Sequence, residues 1–228
     1  MRADVFDLFS SFLDEPNRER FEAVQAAVVA SADYQPYGEA MPRLEARIAA
    51  GDFHGALELS AGLAVNYLLC PRYHFLLATA AQHVGDRERA GIATFAGRQC
   101  VAGILATGEG SMESPYLVTH FHDEYDVLQW LNKSTFRKQE LVHWGSMSLD
   151  CLGFADGSEL WFDVSRLFRR SERADPEAPL ETLGPARMTT MARFVPAPRS
   201  HRPAWHRPFG LLLVLGGLMA LGLWAWSR

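Results

Sequence analysis

Residues Phe209 to Trp226 read FGLLLVLGGLMALGLWAW, eighteen residues without a charged side chain. At ~1.5 Å of rise per residue a helix of this length spans roughly 27 Å, close to the ~30 Å hydrocarbon core of a bilayer. Leucines dominate the run, and Gly210, Gly216, Gly217 and Gly222 are interspersed. Glycine weakens a soluble helix but is frequent in membrane-spanning ones. Trp224 and Trp226 at one end, and Trp205 and Phe209 at the other, suit the aromatic belts of the two interfaces. A buried helix of a soluble domain seldom lacks a polar face over its whole length.

The flanks orient the span. Arg193, Arg199, Arg202 and Arg207 precede it, and only Arg228 follows. The positive-inside rule then keeps the N-terminal body in the cytoplasm. The N-terminal stretch MRADVFDLFSSFLDEP is acidic and has no apolar core, so it does not read as a signal peptide. The expectation is a single-pass tail anchor at 208–228, set in the inner (plasma) membrane, with a cytoplasmic body.

Charge divides the chain in the same way. All 27 acidic side chains lie at or before Glu181, together with sixteen of the 22 Arg and Lys. A body so acidic repels phosphate, which argues against a nucleic-acid partner. The remaining residues carry six Arg and no acid, as a juxtamembrane segment drawn to anionic lipid would. Seven of the twelve prolines fall between Pro176 and Pro208, marking 171–207 as an extended linker. Cys70, Cys100 and Cys151 are odd in number, far apart and in no CxxC pattern, and in a cytosolic setting they read as reduced, packed thiols. Arginine outnumbers lysine twenty to two, an association with GC-rich bacterial genomes.

The body carries an internal repeat. Gly51-Asp52 recurs as Gly85-Asp86 after thirty-four residues, and Ala56 recurs as Ala90. Thirty-four is the period of the tetratricopeptide repeat. Each Gly-Asp follows one helical pattern (Leu44, Ile48, Ala49; then Phe75, Leu76, Ala78, Ala81) and precedes another. The glycine permits a tight turn between antiparallel helices. Ala56 and Ala90 are expected where the second helix crosses the first. The match is partial: His74 stands where an aromatic is expected early in the first helix, and Ser60 and Thr94 replace that of the second. Two units are fewer than a free solenoid needs. The apolar stripes Val5, Leu8, Phe9, Phe12, Leu13 and Phe21, Val24, Val28 are expected to cap them.

After Leu105 the pattern changes. ATGEGSMESP is a turn-rich break, and its Gly108-Glu-Gly110 lacks the Lys and spacing of a phosphate loop. Tyr116–Phe121 predicts a strand, and Asp123–Leu131 a helix with Asp123 as its N-cap. Glu140–Trp144, Ser148–Phe154 and Glu159–Val164 predict a three-stranded meander, with Gly145-Ser146 and Asp156-Gly157 at the joins.

Taken together, the runs SADYQPY (Ser31–Tyr37), GDFHGALEL, NYLLCPRYHFLL, GILATGEGSMESPYLVT, DEYDVL and DGSELWFDVS carry a resemblance. From about Phe21 to Phe168 the chain resembles an uncharacterised bacterial family, domain of unknown function 4919. The resemblance implies a fold and a bacterial origin. It brings no established activity and no catalytic residue.

The densest polar run is His120-Phe-His122-Asp123-Glu124-Tyr-Asp126. Two His separated by one residue on a strand share a face, and a carboxylate would complete three metal ligands. The simpler expectation places both His on the solvent face of an edge strand, with the acids favouring the positive end of the following helix. Ser60, Ser111, Ser146 and Ser148 lack a Gly-x-Ser-x-Gly context. No catalytic, cofactor-binding or metal-binding residue is therefore singled out, and no cofactor is implied.

The expected architecture is α+β. Tetratricopeptide-like helical hairpins (1–105) pack with a small antiparallel β module (106–170), followed by the linker (171–207) and one transmembrane helix (208–228). The expected role is a membrane-tethered, cytosolic protein-binding or scaffold module, with a protein or peptide partner. The alternative from another class is a metal-dependent hydrolase using His120 and His122. Gly216 and Ala220 offer a small-xxx-small face for packing within a larger membrane complex.

Overall fold

Six helices come first, and most are begun by local capping chemistry. They are α1 (Val5–Asp14), α2 (Arg18–Ala30), α3 (Ala40–Ala49), α4 (Phe53–Ala61), α5 (Pro71–His83) and α6 (Arg87–Ala106). The side chains of Asp4, Asn17, Asp52 and Asp86 accept backbone N–H groups in the first turns of α1, α2, α4 and α6. The computed structural model describes residues 4–133 and 135–168. The linker and the membrane anchor expected from the sequence lie outside the described residues. Among the described residues no helix is long and apolar enough to cross a membrane.

The two Gly-Asp pairs occupy matching turns. Gly51 (φ +75°) joins α3 to α4, and Gly85 (φ +85°) joins α5 to α6. Each turn closes in the same way, with Asp52 N–H donating to Arg47 O and Asp86 N–H to Ala81 O, both at 2.9 Å. Ala56 is buried. Ala90, expected at a crossing, is only half-buried. In the second hairpin the close approach lies one to two turns further on, at the buried Ala93 and Gly97, where a Cβ on Gly97 would sit 2.8 Å from the Phe75 ring. The reason is α6 itself, which runs twenty residues and meets α5 along its middle rather than at its start.

The amphipathic N-terminal pair packs as α1 against α2 and α6. Phe12 of α1 and Phe21 of α2 lie edge to face at 6.0 Å, over Gly103 of α6. A second apolar cluster, built on Met41, Leu44, Ala56, Tyr67 and Tyr73, holds α3, α4 and α5 together.

The β module is a four-stranded sheet in the order β1-β4-β3-β2, from β1 (Tyr116–Leu117), β2 (Lys138–Trp144), β3 (Met147–Gly153) and β4 (Glu159–Asp163). The expected meander forms, turning at Gly145 (φ +60°) and Gly157 (φ +81°). Between β1 and β2 runs α7 (His122–Trp130). β1 is parallel to β4, in the register Tyr116 to Phe162, so the sheet is mixed rather than wholly antiparallel as expected: α7 carries the chain back before the meander begins. Leu152, Leu160 and Phe162 enter the same core as Phe12, Phe21, Ile104, Val127 and Leu128, so helices and sheet share one apolar interior.

The strand expected over Tyr116–Phe121 stops at Leu117. The amides of Thr119 and His120, which would continue a ladder, are instead taken by the Asp123 carboxylate, each at 2.8 Å. Asp123 is thus not the N-cap of α7. It lies inside the first turn and binds backwards, drawing the chain off the sheet and into the helix.

Candidate functional site

α7 begins with buried charge. His122, Asp123, Glu124 and Asp126 are all buried, and so is His120 just ahead of them. This overturns the expectation that His120 and His122 sit on a solvent face: they are 0% and 2% exposed. Nor do they share the face of a strand. His120 lies in the turn after β1, under the rings of Tyr34 and Tyr67 at 5.6 and 4.7 Å. His122 belongs to α7 and lies against Phe121 at 3.8 Å, with both ring nitrogens lacking a hydrogen-bond partner.

The acids of α7 meet the start of α5. That helix has no side-chain cap of its own: Cys70 is its N-cap residue and Pro71 its first helical residue. Asp126 supplies the missing cap, accepting from the backbone N–H of Arg72 at 3.0 Å. The same carboxylate takes Arg72 Nε at 3.1 Å and Nη2 at 3.0 Å, and Arg72 Nη1 reaches Glu45 at 3.2 Å. Burial opposes the charge on Arg72, but Asp126 and Glu45 outweigh it and hold the guanidinium protonated. Glu124 faces Asp150 of β3, whose Oδ2 accepts from Gln139 Nε2 at 2.5 Å. Burial, then the Asp150 charge, pushes the Glu124 carboxyl well above the usual range.

Deepest lies a trio. One ligand atom each from Cys70, His120 and Asp123 falls within 4.8 Å of the other two, and all three residues are 0% exposed. Burial pushes Asp123 up to about 7, against the backbone N–H groups of His120 and Thr119. Burial pulls His120 down to about 3 and pushes the Cys70 thiol well up, with Asp123 adding to the latter. Behind His120 stands Asn66. Its Oδ1 accepts the Gln35 N–H at 2.8 Å and lies 3.4 Å from His120 Nε2.

The sequence points to His120 and Asp123 but in other surroundings, reads Cys70 only as a packed thiol, and gives no place to Arg72 or Asn66. The available signal was in NYLLCPRY, where a cysteine stands directly before a helix-opening proline and an arginine follows within the first turn. The surface hollow lined by Arg18, Glu22, Met147, Asp163 and Arg166 contains no member of the cluster. All three cysteines are free and buried.

Comparison with protein-family models, curated proteins and solved structures finds no match to this chain.

Proposed function

We propose that this protein is a membrane-tethered, cytosolic binding or scaffold module that engages a protein or peptide through its helical hairpins, of tetratricopeptide-like kind. The observation that carries the reading is an apolar pair on α6. Ile92 and Phe95, one turn apart, stand 62% and 50% exposed on the second helix of the second hairpin. Exposed large apolar side chains set one turn apart on a helix are suited to a partner's groove or helix. The tether rests on the uncharged run Phe209–Trp226 and its arginine flank. The hydrolase reading built on His120 and His122 draws no support from two rings sealed against solvent, since a substrate must reach the groups that act on it.

Two measurements test the proposal. The full chain should stay with native membranes through high-salt and alkaline washing, and release by salt alone would remove the tether. Replacing Ile92 and Phe95 by Ser should abolish cross-linking to a stoichiometric membrane-associated partner while leaving the melting temperature within a few degrees. An unchanged cross-linking pattern would remove the binding face from α6.

A further inference from the structure

Cys70, His120 and Asp123 come from three places: the N-cap of α5, the turn after β1, and the first turn of α7. Two of their polar atoms have no hydrogen-bond partner in the protein, His120 Nδ1 and Asp123 Oδ1, and both are buried. A buried polar atom without a partner costs ~1–3 kcal/mol, so two beside a thiol call for an explanation.

Each of the three donors is oriented by a neighbour. Asn66 Oδ1 accepts from the Gln35 backbone, so it faces His120 Nε2 as an acceptor. That places the imidazole proton on Nε2 and leaves the lone pair on Nδ1. The Asp123 Oδ2 atom is occupied by the amides of Thr119 and His120, which leaves Oδ1 without an N–H or O–H partner and the Cys70 thiol beside the carboxylate. Cys70 stands at the N-terminal end of α5, where the Tyr73 backbone N–H reaches its sulfur and fixes its place beside Asp123. Partners of this kind, behind the donor atoms, orient histidine and carboxylate ligands in metal sites.

We infer that Cys70 Sγ, His120 Nδ1 and Asp123 Oδ1 hold a divalent transition-metal ion of the zinc class. One sulfur, one imidazole nitrogen and one carboxylate oxygen suit that class, and bond lengths of ~2.0–2.3 Å put tetrahedral ligand atoms about 3.5 Å apart. One ligand atom from each of the three lies within 4.8 Å of the other two, near the spacing such a site requires. Of the acids, Asp123 and Asp126 act on Cys70, and Arg72 is already shared between Asp126 and Glu45. A dication would partner Asp123.

Cys70 and His120, with Asn66 behind the imidazole, are also the residue types of a thiol nucleophile with a His-Asn pair. Burial decides between the two. A nucleophile must meet substrate, whereas an ion can be enclosed as the chain folds, and Cys70 and His120 are both 0% exposed. With three protein ligands the fourth tetrahedral position falls to an enclosed water, and the ion would fasten the start of α5 to the start of α7.

The test uses the full chain in detergent, purified without a metal-affinity resin. Elemental analysis should find about one zinc per chain. After EDTA treatment, cobalt(II) titration should give a thiolate-to-cobalt charge-transfer band, and the melting temperature should drop on chelation and recover with zinc. Cys70→Ser should lose the band and the metal, while Cys151→Ser, on β3, keeps both. If Cys70→Ser fails to fold, Asp123→Asn serves, with metal affinity weakened at least tenfold. A folded wild-type chain that takes up neither metal would overturn the inference. So would a Cys70→Ser protein with unchanged metal content, or stoichiometric alkylation of Cys70 by iodoacetamide in the zinc-loaded protein, which would mark a reactive nucleophile instead.

Discussion

The α5–α6 hairpin and helix α7 are both packed into the interior, yet they fill it with opposite chemistry. In the hairpin the buried positions are mostly small or apolar, as at Ala78, Ala81, Ala93, Ala96 and Ile104. Its turn charges, Arg87, Glu88 and Arg89, stand exposed, and its inward charge, Arg72 at the start of α5, turns to Asp126 of α7. In α7 the acids 123, 124 and 126 are inside, and Trp130 is 38% exposed. The hairpin is stabilised by area removed from water. α7 pays desolvation for every acid and recovers it only through partners. Buried ionisable groups in excess of their counter-charges gather at sites of binding or chemistry. Apolar packing thus dominates the body of the hairpin, and buried polar chemistry gathers where α7 meets the start of α5.

The largest effect should come from removing the cation that partners α7. Arg72 binds Asp126 twice through its guanidinium and once through its backbone, and also holds Glu45. Arg72→Met leaves Asp126 buried without a counter-charge, at an expected cost of ~3–5 kcal/mol in urea unfolding. Adding Asp126→Asn should recover part of it, because the orphaned charge is then gone. A loss below ~1 kcal/mol in the single variant would break the comparison, since α7 would then need no partner.

The fold is legible in the sequence where local chemistry decides. Gly51 and Gly85 need positive φ, Asp52 and Asp86 follow as caps, and Gly145 and Gly157 turn the meander. Each signal lies within a few residues of its effect. The site was not legible because its partners are distant: Arg72 and Asp126 are 54 residues apart, as are Asn66 and His120. Read locally, Asp123, Glu124 and Asp126 look like acids at a helix N-terminus, which is a surface pattern. The strand over Tyr116–Phe121 failed for a related reason. Its alternation is genuine, but a carboxylate three residues past His120 takes the amides the ladder needed.

A pH titration separates buried histidine from buried acid. His74 on α5 stacks on Phe9 at 5.7 Å and donates Nε2–H to Leu68 O at 2.8 Å. Burial pulls it down to about 4, with that hydrogen bond opposing. Its neutral form belongs to the folded state, and in the unfolded chain it titrates near ~6.5. Its contribution is thus whole above pH ~6.5 and is lost as pH falls toward 4, about 3 kcal/mol in all. His120 acts in the same direction. His74→Phe keeps the ring stack and should flatten the fall in stability between pH 6.5 and 4 by roughly that amount. Parallel pH profiles for the two proteins would show that His74 is not held neutral.

The smallest effects test whether α6 is governed by packing alone, using two glycines of the same helix. Around Gly91 there is open space, with nothing within 4 Å of an added Cβ. Gly91→Ala should stabilise by ~0.5–1 kcal/mol, the helical advantage of alanine over glycine. At Gly103 an added Cβ would lie 2.5 Å from the Phe12 ring and 3.0 Å from Phe21, and both rings are fully buried with no room to retreat. The same helical advantage operates there, but overpacking of ~1–3 kcal/mol opposes and exceeds it. Gly103→Ala should therefore destabilise where Gly91→Ala stabilises, and the difference in urea midpoint at equal slope reads the packing term directly. If both substitutions stabilised equally, α1 and α2 would not be seated on α6 at Gly103, and the helical half would lose the close-packed character that sets it apart from α7.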